Sequence, residues 1–157
     1  MITNLLNLFK SPQTIDTSIH TFKNVFAITA PSLLVRNDKY DMFQLIDPED
    51  NFAAITASAY EKEGGTLTEF SEYRFGGVEK FYRPVSALQQ IAAAGNQNQV
   101  MEFEGTYPNE TEPTYYVVST IETGKLFISL TFVTERAHFH AHRDLYMAII
   151  SSVKALA

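Results

Sequence analysis

Residues 125–134 constrain the fold most, because they form a strand pattern with apolar side chains on both faces. Successive side chains of a strand point to opposite faces, so each face can be assigned separately. One face is fully apolar and consists of Leu126, Ile128, Leu130 and Phe132. The other face is mixed and consists of Phe127, Ser129, Thr131 and Val133. Such a strand is predicted to be central in its sheet and covered by other elements on both sides.

Other segments have the apolar alternation of strands, and they are residues 22–28, 40–46, 52–60, 100–107 and 115–121. The turn-rich residues 47–51 and the Thr123-Gly124 pair each lie between two such strands, which predicts antiparallel hairpins at both places. Residues 86–94 have a helical composition, with a strand as the open alternative. Residues 96–99 are predicted to be a polar loop.

Three segments have the pattern of helices. Residues 1–9 place apolar side chains at helical spacing. Thr66 and Glu69 have the spacing of a capping box, which predicts a helix start, and the glycine pair at 76–77 is predicted to interrupt that helix. Residues 144–156 carry an apolar stripe at intervals of three and four, which predicts a long closing helix.

The order of elements is helix, three strands, helical middle, three strands and closing helix. This order predicts an α+β fold, a layered α/β/α sandwich with a mainly antiparallel six-stranded sheet and a long C-terminal helix. At 157 residues the chain has the length of one domain. We expect a single domain over residues 1–157, with an N-terminal helical extension at residues 1–19 and a core at residues 20–157.

The composition excludes several classes of function. A net charge of −6 and a pI near 5.1 leave no basic stripe for a phosphate backbone, so no nucleic-acid partner is expected. A chain without cysteine has no disulfide, thiol nucleophile or thiolate zinc ligand. No apolar run reaches the ~20 residues that a membrane span needs. Because Lys10 follows the apolar N-terminal residues instead of preceding them, no export signal is expected and the predicted location is the cytoplasm.

Three of the four histidines, His138, His140 and His142, lie within five residues. On a strand they would share one face and could hold zinc with water in the open position. On a helix only His138 and His142, which are four residues apart, share a face. The segment lies where the best strand gives way to the closing helix, so the helical pair is favoured. The histidines are interpreted first as structural or solvent-exposed and second as a zinc site.

The remaining candidate positions are aromatic and acidic. Tyr73, Tyr115 and Tyr116 are candidate partner-binding residues, because tyrosine is enriched at interface hot spots. Glu102 and Glu104 have the spacing of one strand face and are interpreted as solvated edge charges. The sequence contains no nucleophile elbow, phosphate loop or dinucleotide fingerprint, so no catalytic residue is assigned.

The closing part of the chain resembles the Mog1/PsbP-like proteins. The run Lys125-Leu-Phe-Ile-Ser-Leu-Thr-Phe, followed by Tyr146-Met-Ala-Ile-Ile-Ser-Ser-Val-Lys, is similar to the end of those proteins. There, a glycine-containing hairpin leads to a strand ending in Thr-Phe and to a last helix. The resemblance covers residues 20–157, and the group includes DcrB-like proteins and related chaperones of type VI secretion effectors. It implies an antiparallel sheet between helical layers, and binding of protein partners instead of catalysis.

These features predict a non-enzymatic, cytoplasmic protein-binding module, such as a chaperone, an adaptor or an immunity-type protein linked to bacterial secretion. No cofactor is expected. The sequence leaves a homodimer as one allowed oligomeric state. Two alternatives stay open. One is a metal-binding protein or zinc-dependent hydrolase that uses His138, His140 and His142. The other is a small-ligand carrier with its pocket between sheet and helix.

Overall fold

The computed structural model describes residues 16–37, 42–48, 52–93, 96–106, 109 and 111–156. The strands within these ranges are β1 (Thr17–Phe22), β2 (Phe26–Pro31), β3 (Val35–Asn37), β4 (Phe43–Asp47), β5 (Phe52–Glu61), β6 (Arg83–Pro84), β7 (Gln89–Ala93), β8 (Asn96–Gly105), β9 (Thr114–Glu122), β10 (Leu126–Thr134) and β11 (Lys154–Ala155). The helices within them are α1 (Leu67–Glu79), α2 (Arg136–Ala141) and α3 (Arg143–Ser151). The helix predicted at residues 1–9 lies outside the described residues.

The strands form two antiparallel sheets. The larger sheet has eight strands in the order β3-β4-β5-β10-β9-β8-β6, with β7 also paired to β8. The smaller sheet has the order β1-β2-β11. The prediction of an α+β fold, a layered α/β/α sandwich with one six-stranded sheet and a long C-terminal helix, is therefore wrong, because the described chain is mostly β and its helices are short. None of the helices in the described ranges is long and apolar enough to cross a membrane.

Strand β10 is central, as predicted, between β5 and β9. Both faces of the larger sheet are covered. The main core lies between this sheet and β2, α2 and α3, and its large members include Phe26, Phe43, Phe132, Phe139 and Tyr146. A smaller core lies on the opposite face beneath α1, where Phe75 packs with Phe103, Tyr116, Val118 and Val133. The apolar residues on both sides of β10 are thus explained by one core on each face.

Helix α1 begins at the predicted capping box. The Thr66 side chain accepts a hydrogen bond from the Glu69 N–H, and the Glu69 carboxylate accepts one from the Thr66 N–H. These bonds satisfy two donors that a helix start leaves without helical partners. The predicted interruption at 76–77 is wrong, because α1 continues to Glu79. Buried Ser71 anchors the helix to β9 through a 2.5 Å contact between its Oγ and Thr120 Oγ1.

The closing helix is shorter than predicted and is divided. Helices α2 and α3 meet at His142, whose backbone has a non-helical φ of −121° and ψ of 29°. Helix α3 ends at Ser151, and the Ser152 side chain accepts a hydrogen bond from the Thr29 N–H at 2.8 Å. Lys154 then pairs with Ala27 in the smaller sheet. Pairing with β2 therefore overrides the helical pattern of the last residues.

The strand predicted at residues 22–28 is in fact a hairpin. Lys23 and Asn24 have positive φ values of 44° and 57°, and the Val25 N–H bonds to the Phe22 carbonyl at 2.7 Å. Two successive residues with positive φ give a turn whose twist suits the two strands of a β-hairpin. Residues 17–19, predicted to lie in the N-terminal extension, belong to β1.

Residues 86–94 were expected to favour a helix, but Gln89–Ala93 is strand β7. It pairs with residues 96–100 of β8, so the predicted polar loop at 96–99 is also strand. Alanine and glutamine are good helix formers, but helix preferences differ by less than ~1 kcal/mol per residue, and pairing along the whole of β7 outweighs them.

Candidate functional site

The histidine segment has the helical geometry, not the strand geometry. On α2 and the residue that follows it, the rings of His138 and His142 lie 4.7 Å apart between centroids. His140 points elsewhere, with Nε2 at 3.7 Å from Glu102 Oε1. Among the described residues, no three His, Asp or Glu side chains are grouped as ligands of a metal ion. The predicted zinc role of His138, His140 and His142 stays a prediction.

His138 is enclosed by a small polar cluster at the end of β10. Its Nδ1 lies 2.9 Å from the Tyr146 hydroxyl and 3.4 Å from Thr134 Oγ1, and those two oxygens are 2.8 Å apart. Burial lowers the pKa of His138 to about 4, and the nearby charge of His142 acts in the same direction. Burial also raises the pKa of Tyr146. The His138 imidazole is therefore neutral at pH 7, and the cluster connects α2, α3 and β10.

A second polar cluster surrounds Glu102 on β8. Its side chain is almost fully buried, so the interpretation of Glu102 as a solvated edge charge is wrong. The Tyr115 hydroxyl donates to Oε1, and Gln89 Nε2 donates to Oε2 at 3.3 Å. Arg143 Nη1 lies 3.9 Å from Oε2 and forms an ion pair with it. Burial, followed by the hydrogen bond to Glu102, raises the pKa of Tyr115.

The Glu102 cluster is built to hold a charge inside the protein. A buried carboxylate is tolerated when its oxygens accept hydrogen bonds and a cation lies nearby, and both conditions are met here. The sequence contained one signal for this burial. Glu102 lies two residues after Val100, which is fully buried in the main core. Residues two apart on a strand share a face, so the inward direction could have been inferred from that parity.

The three candidate tyrosines lie in different surroundings. Tyr73 projects from α1 and is 73% exposed, whereas Tyr115 and Tyr116 are 2% and 6% exposed. Strand β9 is covered on both faces, so its successive side chains both enter a core. The ring of Tyr116 packs 4.2 Å from that of Tyr82. A partner could contact Tyr73 directly, but Tyr115 and Tyr116 would first have to leave the core.

The outward face of α1 has an unusual composition. Four residues follow one another here at helical spacing, and we call them the α1 outer surface. They are Tyr73, Gly76, Gly77 and Phe81. Phe81 directly follows the helix cap and is 80% exposed. A Cβ added at Gly76 or Gly77 would meet no described atom within 4 Å. Two exposed aromatic rings therefore flank an open stretch of backbone, where the glycine pair was predicted only to interrupt the helix.

A cavity of about 610 Å³ lies at the opposite end of α1. Its walls are the first residues of the helix, the β7–β8 edge and the end of β9. The lining residues are Gly65, Thr66, Leu67, Thr68, Gln90, Ile91, Gln97, Asn98, Gln99 and Glu122. A pocket between sheet and helix was one of the predicted alternatives, but no pattern in the sequence marks these lining residues.

No protein-family profile matches the sequence, and no curated protein matches it. The fold is similar to that of cyanobacterial PsbP (CyanoP) from Synechocystis sp. PCC 6803, with a TM-score of 0.62 over 92% of this chain and 95% of that one. The identity is 10%, so the similarity concerns the fold alone. The predicted PsbP-like fold is confirmed, and the narrower DcrB-like resemblance stays a prediction.

Proposed function

We propose that the chain is a non-enzymatic protein-binding module that holds its partner on the α1 outer surface. One observation carries this proposal, namely the pair of strongly exposed rings, Tyr73 on α1 and Phe81 directly after the helix cap. Aromatic side chains dominate interface energetics, and tyrosine and phenylalanine are enriched at protein interfaces. The glycine pair between them would let a partner approach the helix backbone closely.

The net charge of the chain favours a different protein over a second copy. The whole chain carries a net charge of −6, although exposed charges of both signs, Glu72, Glu79 and Lys80, border this surface. Two copies of the chain repel each other overall, which costs affinity. We therefore propose a different protein as the partner, with an apolar centre and a net positive charge. The homodimer becomes an outcome that the experiment can distinguish.

Within this class, the chain is proposed to act as a chaperone, adaptor or immunity-type protein, with a link to bacterial secretion. The support is the resemblance of the closing strand and helix to Mog1/PsbP-like proteins, together with the PsbP-like fold. Fold alone does not select a partner, so the partner has to be found by experiment.

Site-specific crosslinking can test the surface. A photoreactive phenylalanine analogue replaces Phe81 in one version of the chain and Ile19 in the other, since Ile19 is 71% exposed on the smaller sheet. We expect a discrete crosslinked protein from position 81 only, lost when Tyr73→Ser is added. The purified partner should then bind Tyr73→Ser/Phe81→Ser at least roughly tenfold more weakly than the unmodified chain. Equal products from both positions would count against the proposal, and a crosslink to a second copy would indicate a homodimer.

Metal binding is a second candidate function, favoured by the 4.7 Å ring separation of His138 and His142. Two imidazoles on one helix face could supply part of a zinc site, and a zinc-dependent hydrolase would need further ligands and a water. Metal analysis of the untagged protein tests this. Bound zinc that is lost in His138→Ala/His142→Ala but kept in His20→Ala would support a metal site at this pair. Equal trace amounts of zinc in the unmodified chain and both variants would eliminate it.

A further inference from the structure

The cavity at the N-terminus of α1 has walls that are polar but nearly uncharged. Three glutamines, one asparagine and two threonines line it, with Leu67 and Ile91 as its apolar members. Its volume of about 610 Å³ lies within the ~300–1,000 Å³ of small-molecule sites. Glu122 is the single charged residue among those lining it, and its carboxylate is held by Lys62 Nζ at 2.7 Å. The one charge in the lining is therefore already paired, and a charged ligand would have no ion-pair partner in the cavity.

The helix end contributes donors to this cavity. The first N–H groups of a helix have no helical acceptor, and the capping box uses only those of Thr66 and Glu69. Leu67 and Thr68, which both line the cavity, lie between these two residues. Their N–H groups are thus placed to donate to a bound molecule.

A buried glutamine supplies the independent indication of a ligand. Gln99 lines the cavity and is 5% exposed, yet its Oε1 has no hydrogen-bond partner among the residues that the structure describes. It pairs with Gln90 across β7 and β8, and paired residues project to the same face, so both amides border the same space. A buried amide oxygen without a donor lowers stability, and a bound molecule with a hydroxyl group would remove that cost.

We propose that this cavity binds a small neutral polyhydroxylated molecule, of the size and chemistry of a mono- or disaccharide. Amide side chains each offer donors and acceptors, and hydroxyl groups complement both. The carbon-bound hydrogens of a sugar ring can lie against Leu67 and Ile91. This site goes beyond the proposed protein-binding function, and neither proposal depends on the other.

Amide NMR of the full chain tests the site with a panel of neutral mono- and disaccharides. We expect saturable shifts at Leu67, Thr68 and Gln99 for at least one sugar, and weaker binding of its phosphorylated analogue because no uncompensated cation lines the cavity to pair with the phosphate. Shifts that do not saturate for any neutral sugar would overturn the proposal. Saturation by the phosphorylated sugar alone would overturn the neutral class.

Gln99→Leu separates binding from folding. Losing one hydrogen bond to a buried group should weaken sugar binding roughly tenfold, while the melting temperature without sugar stays equal or rises because an unpartnered amide has been removed. Gln44→Leu on β4 is the matched control and should bind normally. If Gln99→Leu does not fold, Gln90→Leu at the exposed cross-strand partner replaces it, with the same loss expected. Unchanged sugar affinity in these variants would contradict the assignment.

Discussion

The Nδ1 atom of His138 lies 2.9 Å from the Tyr146 hydroxyl, and both side chains are buried. Burial lowers the pKa of His138 from 6.5 to about 4, so between these pH values the unfolded chain binds the extra proton. The free energy of unfolding should therefore be at its plateau above about pH 6.5 and decrease as the pH falls toward 4, by ~1–3 kcal/mol. Urea unfolding at stepped pH measures this, and His138→Gln should flatten that part of the profile.

His140→Gln is the control for the His138 prediction. The His140 side chain is 53% exposed, so its replacement should leave the acid-side decrease in place. If His140→Gln flattened the profile as strongly as His138→Gln, burial of His138 could not be the cause.

Glu102→Ala should be among the most destabilising substitutions at a charged residue of this chain. It would remove the acceptor of the Tyr115 hydroxyl and the ion-pair partner of Arg143 while both groups keep their positions. We expect a loss of ~3 kcal/mol in the free energy of unfolding, measured by urea denaturation. Glu102→Gln keeps an acceptor oxygen and should lose less.

Glu104→Ala is the matched comparison for Glu102→Ala. Glu104 forms ion pairs with Arg136 at 3.1 Å and Arg83 at 3.6 Å, and both arginines are largely exposed. Exposed pairs contribute little, so the expected loss is at most ~1 kcal/mol. Equal losses for Glu102→Ala and Glu104→Ala would show that burial does not set the cost.

The sequence predicts the fold best where side-chain parity and local hydrogen bonds agree. The two-sided strand at residues 125–134 and the capping box at Thr66 are both present in the structure. It predicts the fold poorly where pairing with a distant strand decides the outcome. Gln89–Ala93 and Lys154–Ala155 have helical composition but lie on strands, because β8 and β2 offer them complete hydrogen-bond ladders.

The candidate site was harder to predict than the fold. The helical pairing of His138 with His142 follows from their spacing alone, and the structure has it. Burial of Glu102 depends on Tyr115, Gln89 and Arg143, which reach it from β9, β7 and α3. The cavity at the start of α1 likewise needs four separate elements, α1, β7, β8 and β9. Side chains that converge only through tertiary structure leave no fixed spacing in the sequence.

Thr66→Ala should reduce stability by about 1 kcal/mol, because it leaves the Glu69 N–H without its acceptor. Thr66→Ser keeps the hydroxyl and should restore most of the loss. Thermal unfolding of the two variants gives the comparison. Thr68 is an exposed neighbour, and Thr68→Ala should change the free energy of unfolding by less than ~0.5 kcal/mol. A larger effect there would mean that the loss is not specific to the cap.

Gly77→Ala should stabilise the isolated chain and weaken partner binding at the same time. Its Cβ would meet no described atom within 4 Å, and alanine is favoured over glycine in a helix by ~0.5–1 kcal/mol. Gly64→Ala should destabilise, because Gly64 has a φ of +83°. If a partner rests on the α1 outer surface, the new methyl group enters that contact, and crosslinking from position 81 should decrease although the melting temperature rises. Increased stability with unchanged crosslinking would mean that the glycine pair is not used for close approach.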